Sequence, residues 1–139
     1  VASQRQDILN ALQSVVDNVS SITTSLLSNY EVDLTKYSSS SLPMALIIPI
    51  AETPLYETGQ YAKWTLTARI IIYFLSEDSA TVEGEALVKD IKDALGNNSR
   101  LNGNAIDISV GEITNGGNFP LFSVEFKVNI TYERSILNA

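Results

Sequence analysis

Ile8, Leu12, Val15, Val16, Val19 and Ile22 recur at three- and four-residue spacing, which lines one face of an amphipathic helix. Ser3 stands three residues before Gln6, the spacing of a capping box, and the pattern predicts a helix from Gln4 to Ser25. From Thr23 onward hydroxyl residues accumulate. Ser38-Ser39-Ser40-Ser41 offers side-chain bonds that compete with regular structure, so this stretch is expected to be a surface loop. Leu42 to Ile50 is aliphatic but holds Pro43 and Pro49; each lacks a ladder donor, which points to an edge strand or one confined between them. Ala51 to Gln60, with Pro54 and Gly59, reads as an acidic loop too long for a tight turn.

Tyr61 to Leu75 gives the strongest strand pattern. Trp64, Leu66, Ala68, Ile70, Ile72 and Phe74 point one way, and Lys63, Thr65, Thr67 and Arg69 the other, with a period of two. At Ile71, Tyr73 and Leu75 both faces turn apolar, which implies cover on the second face. Ser76-Glu77-Asp78-Ser79 then supplies caps and negative charge for a second helix, striped by Val82, Ala86, Leu87, Ile91, Ala94 and Leu95. Gly96-Asn97-Asn98 ends it. Ile106, Ile108 and Val110 predict a third strand, Thr114 to Asn118 with Gly116-Gly117 a hairpin loop, and Phe122 to Tyr132 a fourth strand with its even positions inward.

These elements predict one domain over residues 1–139 of the α+β class: a mainly antiparallel sheet in α-β-β-α-β-β order, with two helices packed on one face. The polar, threonine-rich face is left for water or another subunit. Size agrees, since 139 residues suit a single core.

Composition narrows the chemistry more than the fold. The chain has no histidine and no cysteine, which removes imidazole- and thiol-based nucleophiles, thiolate or imidazole zinc sites, and disulfides. Nine basic against sixteen acidic residues give a net charge of −7, and the cations are scattered, so neither nucleic-acid binding nor attraction to an anionic membrane is expected. No apolar run approaches the roughly twenty residues of a membrane span. Arg5 is followed by Gln6-Asp7 rather than an apolar signal core, so the protein is expected to act where it is made.

Carboxylates are the remaining catalytic vocabulary. Glu77-Asp78 and Glu83-Glu85 are the closest pairs, and they sit where a helix start and an exposed helix face ordinarily carry charge. No calcium-loop spacing and no glycine-rich phosphate cradle occurs. No catalytic, cofactor or metal residue is therefore assigned, and the expectation is a protein that is not an enzyme.

The layout resembles that of the tail terminator, or tail completion, proteins of long-tailed bacteriophages. The residues that carry the likeness are the helix at Ile8, Leu12, Val15 and Ile22, the strand Leu42-Pro43-Met44-Ala45-Leu46-Ile47-Ile48-Pro49 and the strand from Trp64 to Phe74. The Ser-Glu-Asp-Ser opening of the second helix, the loop at Arg100-Leu101-Asn102-Gly103 and the closing Asn129-Ile130-Thr131-Tyr132 complete it. The likeness spans nearly the whole chain and rests on order and hydrophobic pattern. It implies a sheet with helices on one side, assembled into a ring, commonly a hexamer, that caps the tail tube, ends its polymerisation and meets the head connector. The implied partners are further copies of itself, the tail tube protein, the connector or neck protein and, in a contractile tail, the sheath. The implied place is the tail–neck junction of the virion, assembled in the host cytoplasm. An acidic ring would let DNA pass without sticking. The alternatives are a head–tail joining or neck protein and, from a different class, a carboxylate-dependent hydrolase or a small-ligand binding domain.

From pattern alone, Ile71, Tyr73 and Leu75 are the candidate subunit contact. Glu52, Pro54, Tyr56, Glu57, Asn115 and Asn118 are candidate docking residues on two projecting loops.

Overall fold

The computed structural model describes residues 4–28, 39–58, 61–77, 79–98, 100, 101, 103 and 105–135. Among them are two α-helices, α1 (Gln4–Asp17) and α2 (Ala80–Asn97). Five strands accompany them: β1 (Thr24–Leu27), β2 (Met44–Thr58), β3 (Tyr61–Leu75), β4 (Asp107–Asn118) and β5 (Leu121–Ser135). The class is α+β. The strands form one mixed sheet in the order β1-β2-β3-β5-β4, in which β1 runs parallel to β2 and the other three pairings are antiparallel.

The central pair β3–β5 follows its alternation. Leu66, Ala68, Ile70, Ile72 and Phe74 of β3 and Val124, Phe126, Val128, Ile130 and Tyr132 of β5 turn to one face and join the helices in the main core. Ile8, Leu9, Leu12 and Val16 of α1 and Leu87, Val88, Ile91 and Leu95 of α2 cover that face. Full burial of one such side chain is worth about 1.5–3 kcal/mol, so this single layer contact carries most of the stabilisation. Gly84 lets α2 approach closely, because a Cβ there would lie 3.2 Å from the Phe74 ring.

Several expectations need correction. The first helix ends at Asp17 rather than Ser25, and Thr24–Leu27 is instead a strand paired with Met44–Ile47. β-Branched and hydroxyl residues favour extended backbone there, and the Thr23 and Thr24 N–H groups donate to the Pro43 carbonyl. Val19 and Ile22 stay in the core although they have left the helix. The observed order is accordingly α-β-β-β-α-β-β, and the sheet is mixed.

Ala51 to Thr58, expected as a loop, continues β2 against β3. The prolines are accommodated because the register shifts between Pro49 and Ala51 and again between Pro54 and Tyr56, and because β1 stops at Leu27, opposite Ile47. Beyond that level no described strand pairs with this side of β2, and a missing N–H there costs no ladder bond among the described residues. Gln60 and Gly59 lie outside the described residues.

Thr114 to Asn118, expected as a hairpin loop, is the end of β4, and the turn falls at Phe119-Pro120. Gly117 holds φ at +90°, a conformation open to glycine, and makes this close pairing possible. Of the serine run, Ser39–Ser41 forms one 3₁₀ turn, while Ser38, like the capping residue Ser3, lies outside the described residues. In α2 the stripe is shifted: Gly84 and Val88 are buried, whereas Val82 and Ala86 are exposed.

Candidate assembly surfaces

Three surfaces remain once the helices have covered their face of the sheet. The first is the opposite sheet face. Its middle is polar: Thr67 Oγ1 donates to Asn129 Oδ1 at 2.9 Å, and Arg69 Nε donates to Glu125 Oε2 at 2.8 Å. Arg69 stands directly across from Lys127, so the diagonal ion pair with Glu125 offsets the repulsion of like charges in register. At the β1-β2-β3 end the same face turns apolar, where Leu46, Ile48 and Ile71 form a second cluster with Leu26 and Tyr73.

That cluster holds two members of the candidate subunit contact. Ile71 is 3% exposed and Tyr73 is half-buried, both inside the protomer's own packing. Leu75 is 46% exposed and is the most exposed member of the trio.

The second surface is the end of the sheet to which Leu75 belongs. Leu75 pairs with Leu121, the Ser76 N–H donates to the Pro120 carbonyl, and Phe119 projects from the turn with 68% of its surface exposed. Val82, in the first turn of α2, is exposed to a similar degree. Three of the five large apolar side chains exposed among the described residues thus lie around the start of α2 and the β4–β5 turn. Glu77 and Glu83 line a recess there with Leu75, Ser76 and Pro120. Asn115 is nearby, in a shallow recess with Phe74 and Phe122. It was expected on a loop and stands on a strand; so does Asn118, at the last register position of β4, opposite Leu121.

The remaining docking candidates are not on a projecting loop either. Tyr56 and Glu57 are register positions of β2 opposite Lys63 and Ala62, and Pro54 stands opposite Trp64. Glu52 faces the helices. Its carboxylate accepts a hydrogen bond from the Tyr132 hydroxyl and sits 3.3 Å from Nε of Arg5, while Gln4 Nε2 donates to the carbonyl of Glu133. These contacts fix the start of α1 to the sheet. Residue type and spacing carried no signal for them, since the partners come together only through the β2–β3–β5 register.

The third surface is a groove of about 720 Å³ between the C-terminal halves of α1 and α2, absent from the expectations above. Its floor includes Ala11, Val15 and Ala94, and its rim Asp90, Asp93 and Asn97. Ser21 Oγ donates to Asp90 at 2.8 Å. Lys89 donates to Asp93 at 2.9 Å, and this hydrogen bond, with the charge of Asp93, holds the ammonium above its ordinary pKa.

Of the carboxylates considered for catalysis, Glu77 and Glu83 border one recess, the one beside Leu75 and Pro120. Glu77, Glu83 and Glu85 are exposed, Asp78 lies outside the described residues, and no group of three or more potential metal-binding side chains occurs among those described. No described helix is long and apolar enough to cross a membrane. In comparison with known proteins, no family model and no curated protein matches the chain.

Proposed function

We propose that this protein is a structural subunit of a long-tailed phage, a tail terminator whose copies close into a ring on the last ring of the tail tube. The observation that carries this reading is the one-sided layering: both helices pack on one face of the five-stranded sheet, the arrangement that the resemblance implies. The opposite face and the apolar sheet end at Leu75 and Phe119 remain for other molecules. Exposed apolar side chains gathered at one place mark interaction surfaces more often than singly scattered ones do.

In this role the ring ends tube growth by occupying the sites that the next tube ring would use, and presents its other side to the connector or neck protein. Net charge of −7 disfavours adhesion of DNA passing through. Chemistry at an active site is not required. The test is deletion of the gene from the phage: tubes of unregulated length without heads are expected, restored to normal by the protein supplied in trans. Normal infectious particles from the deletion would overturn the reading.

A further inference from the structure

Resting on the ring reading, we propose that Phe119 of one copy seats in the recess between α2 and β4 of the next, with Lys92 over its ring and Val88, Ile113 and Val124 beneath it. Of the five large apolar side chains exposed among the described residues, four divide between these two places. Leu75, Val82 and Phe119 gather at the β4–β5 turn and the start of α2, and Ile113 lies in the recess. The first place is a projection, since Phe119 is 68% exposed, and the second a concavity of about 400 Å³. An aromatic side chain seated in an apolar concavity is a common anchor of a protein interface.

Charge sorts the two places in the same way. Beside the projection, Glu77 and Glu83 border a recess with no cation among its lining residues. The rim of the α2–β4 recess balances Lys89 and Lys92 against Glu85 and Asp93. Lys89 is held by Asp93, whereas Lys92 makes no ion pair among the described residues and is the cation left to a neighbour. An ammonium is attracted to an aromatic face, and the acids near Phe119 draw it in. As rim charges they speed the encounter more than they hold the contact, so the apolar anchor carries the affinity. β4 leaves room for the approach: it is the last strand of the sheet, with β5 on one side and no described strand on the other. Ile113 and Phe119 are six positions apart, about 20 Å of extended chain, so one copy cannot seat its own Phe119. A projection on one copy and a recess on the next are different surfaces. Such a contact is heterologous and closes into a ring when the rotation between copies permits.

The experiment measures particle mass by light scattering for the wild type, Phe119→Asp, Ile113→Asp and an equimolar mixture of the two variants, with circular dichroism as the folding control. A ring is expected for the wild type and monomers for each variant alone. The Phe119→Asp protein keeps its recess and the Ile113→Asp protein keeps its projection, so the concentrated mixture should form pairs, twice the 15.2 kDa chain, that grow no further. Should a variant fail to fold, Phe119→Ala replaces the first and Lys92→Glu the second. Each of these should raise the concentration for half-assembly at least about tenfold, as loss of an interface anchor does, and a smaller change would overturn the contact. A wild-type monomer or closed dimer would overturn the ring reading and this head-to-tail contact together. A wild-type ring that survives in the folded variants would overturn the contact alone, as would a mixture of folded variants that stays monomeric.

Discussion

The Tyr132 hydroxyl donates its hydrogen bond to the carboxylate of Glu52, a residue 80 positions earlier in the chain. The ring of Tyr132 is fully buried, and Arg5 approaches the same carboxylate from α1. One acceptor therefore joins β2, β5 and α1. Tyr132→Phe should lower stability by about 1.5–3 kcal/mol, the range for a hydrogen bond to a charged group. Arg5→Ala, which removes a half-exposed ion pair, should cost about 1 kcal/mol or less. Urea unfolding midpoints give the comparison, and equal losses in the two variants would contradict it.

Opposite outcomes are expected at two glycines. A Cβ on Gly117 would lie 2.7 Å from backbone atoms of both Leu121 and Phe122, at a φ of +90°, so Gly117→Ala should destabilise by more than about 1 kcal/mol. Gly96, near the end of α2, has nothing within 4 Å of its Cβ position. Gly96→Ala should leave stability unchanged or raise it by up to about 1 kcal/mol, from helix propensity. Thermal melts of the two variants shifting in the same direction would count against the β4–β5 geometry.

The second apolar cluster separates packing from assembly. Ile71→Asp places a charge among Leu46 and Ile48 and should prevent folding, since an unpaired buried charge costs several kcal/mol. Leu75→Asp changes a side chain with 46% exposure and should leave a folded protein whose association is weakened. Circular dichroism and sedimentation together read both effects; a folded Ile71→Asp protein would show that the cluster is not structural.

What the sequence made legible follows from where each pattern is enforced. β3 and β5 sit at the centre of the sheet with one face in the core, so burial imposes a strict alternation that needs no knowledge of partners. β1 has only four half-buried residues and pairs with Met44–Ile47 across an intervening segment, leaving almost no local trace. The prolines of β2 and the glycines of β4 carry loop signals, yet they lie on strands held by long antiparallel registers. In each case tertiary pairing outweighed local propensity. The same cause hid Glu52, whose acidic neighbourhood suggests an exposed loop while its register places it beside Tyr132. The interhelix groove was illegible because its depth depends on how α1 and α2 sit relative to each other.

Charge removal at the start of α2 should have little effect. Glu77, Glu83 and Glu85 are exposed, and the variant Glu77→Gln, Asp78→Asn, Glu83→Gln, Glu85→Gln should change stability by about 1 kcal/mol or less per site. Supplied to a phage lacking the gene, it should restore infectious particles to the wild-type level. Loss of infectivity with folding and assembly intact would assign these acids a function.

The mass and shape of the purified wild-type particle test the central claim most directly. Light scattering should give a closed multiple of the 15.2 kDa chain, a hexamer by the resemblance, and negative-stain images should show rings with a central opening. A mass of 15.2 kDa maintained across micromolar to near-millimolar concentration, with no rings in the images, would contradict it.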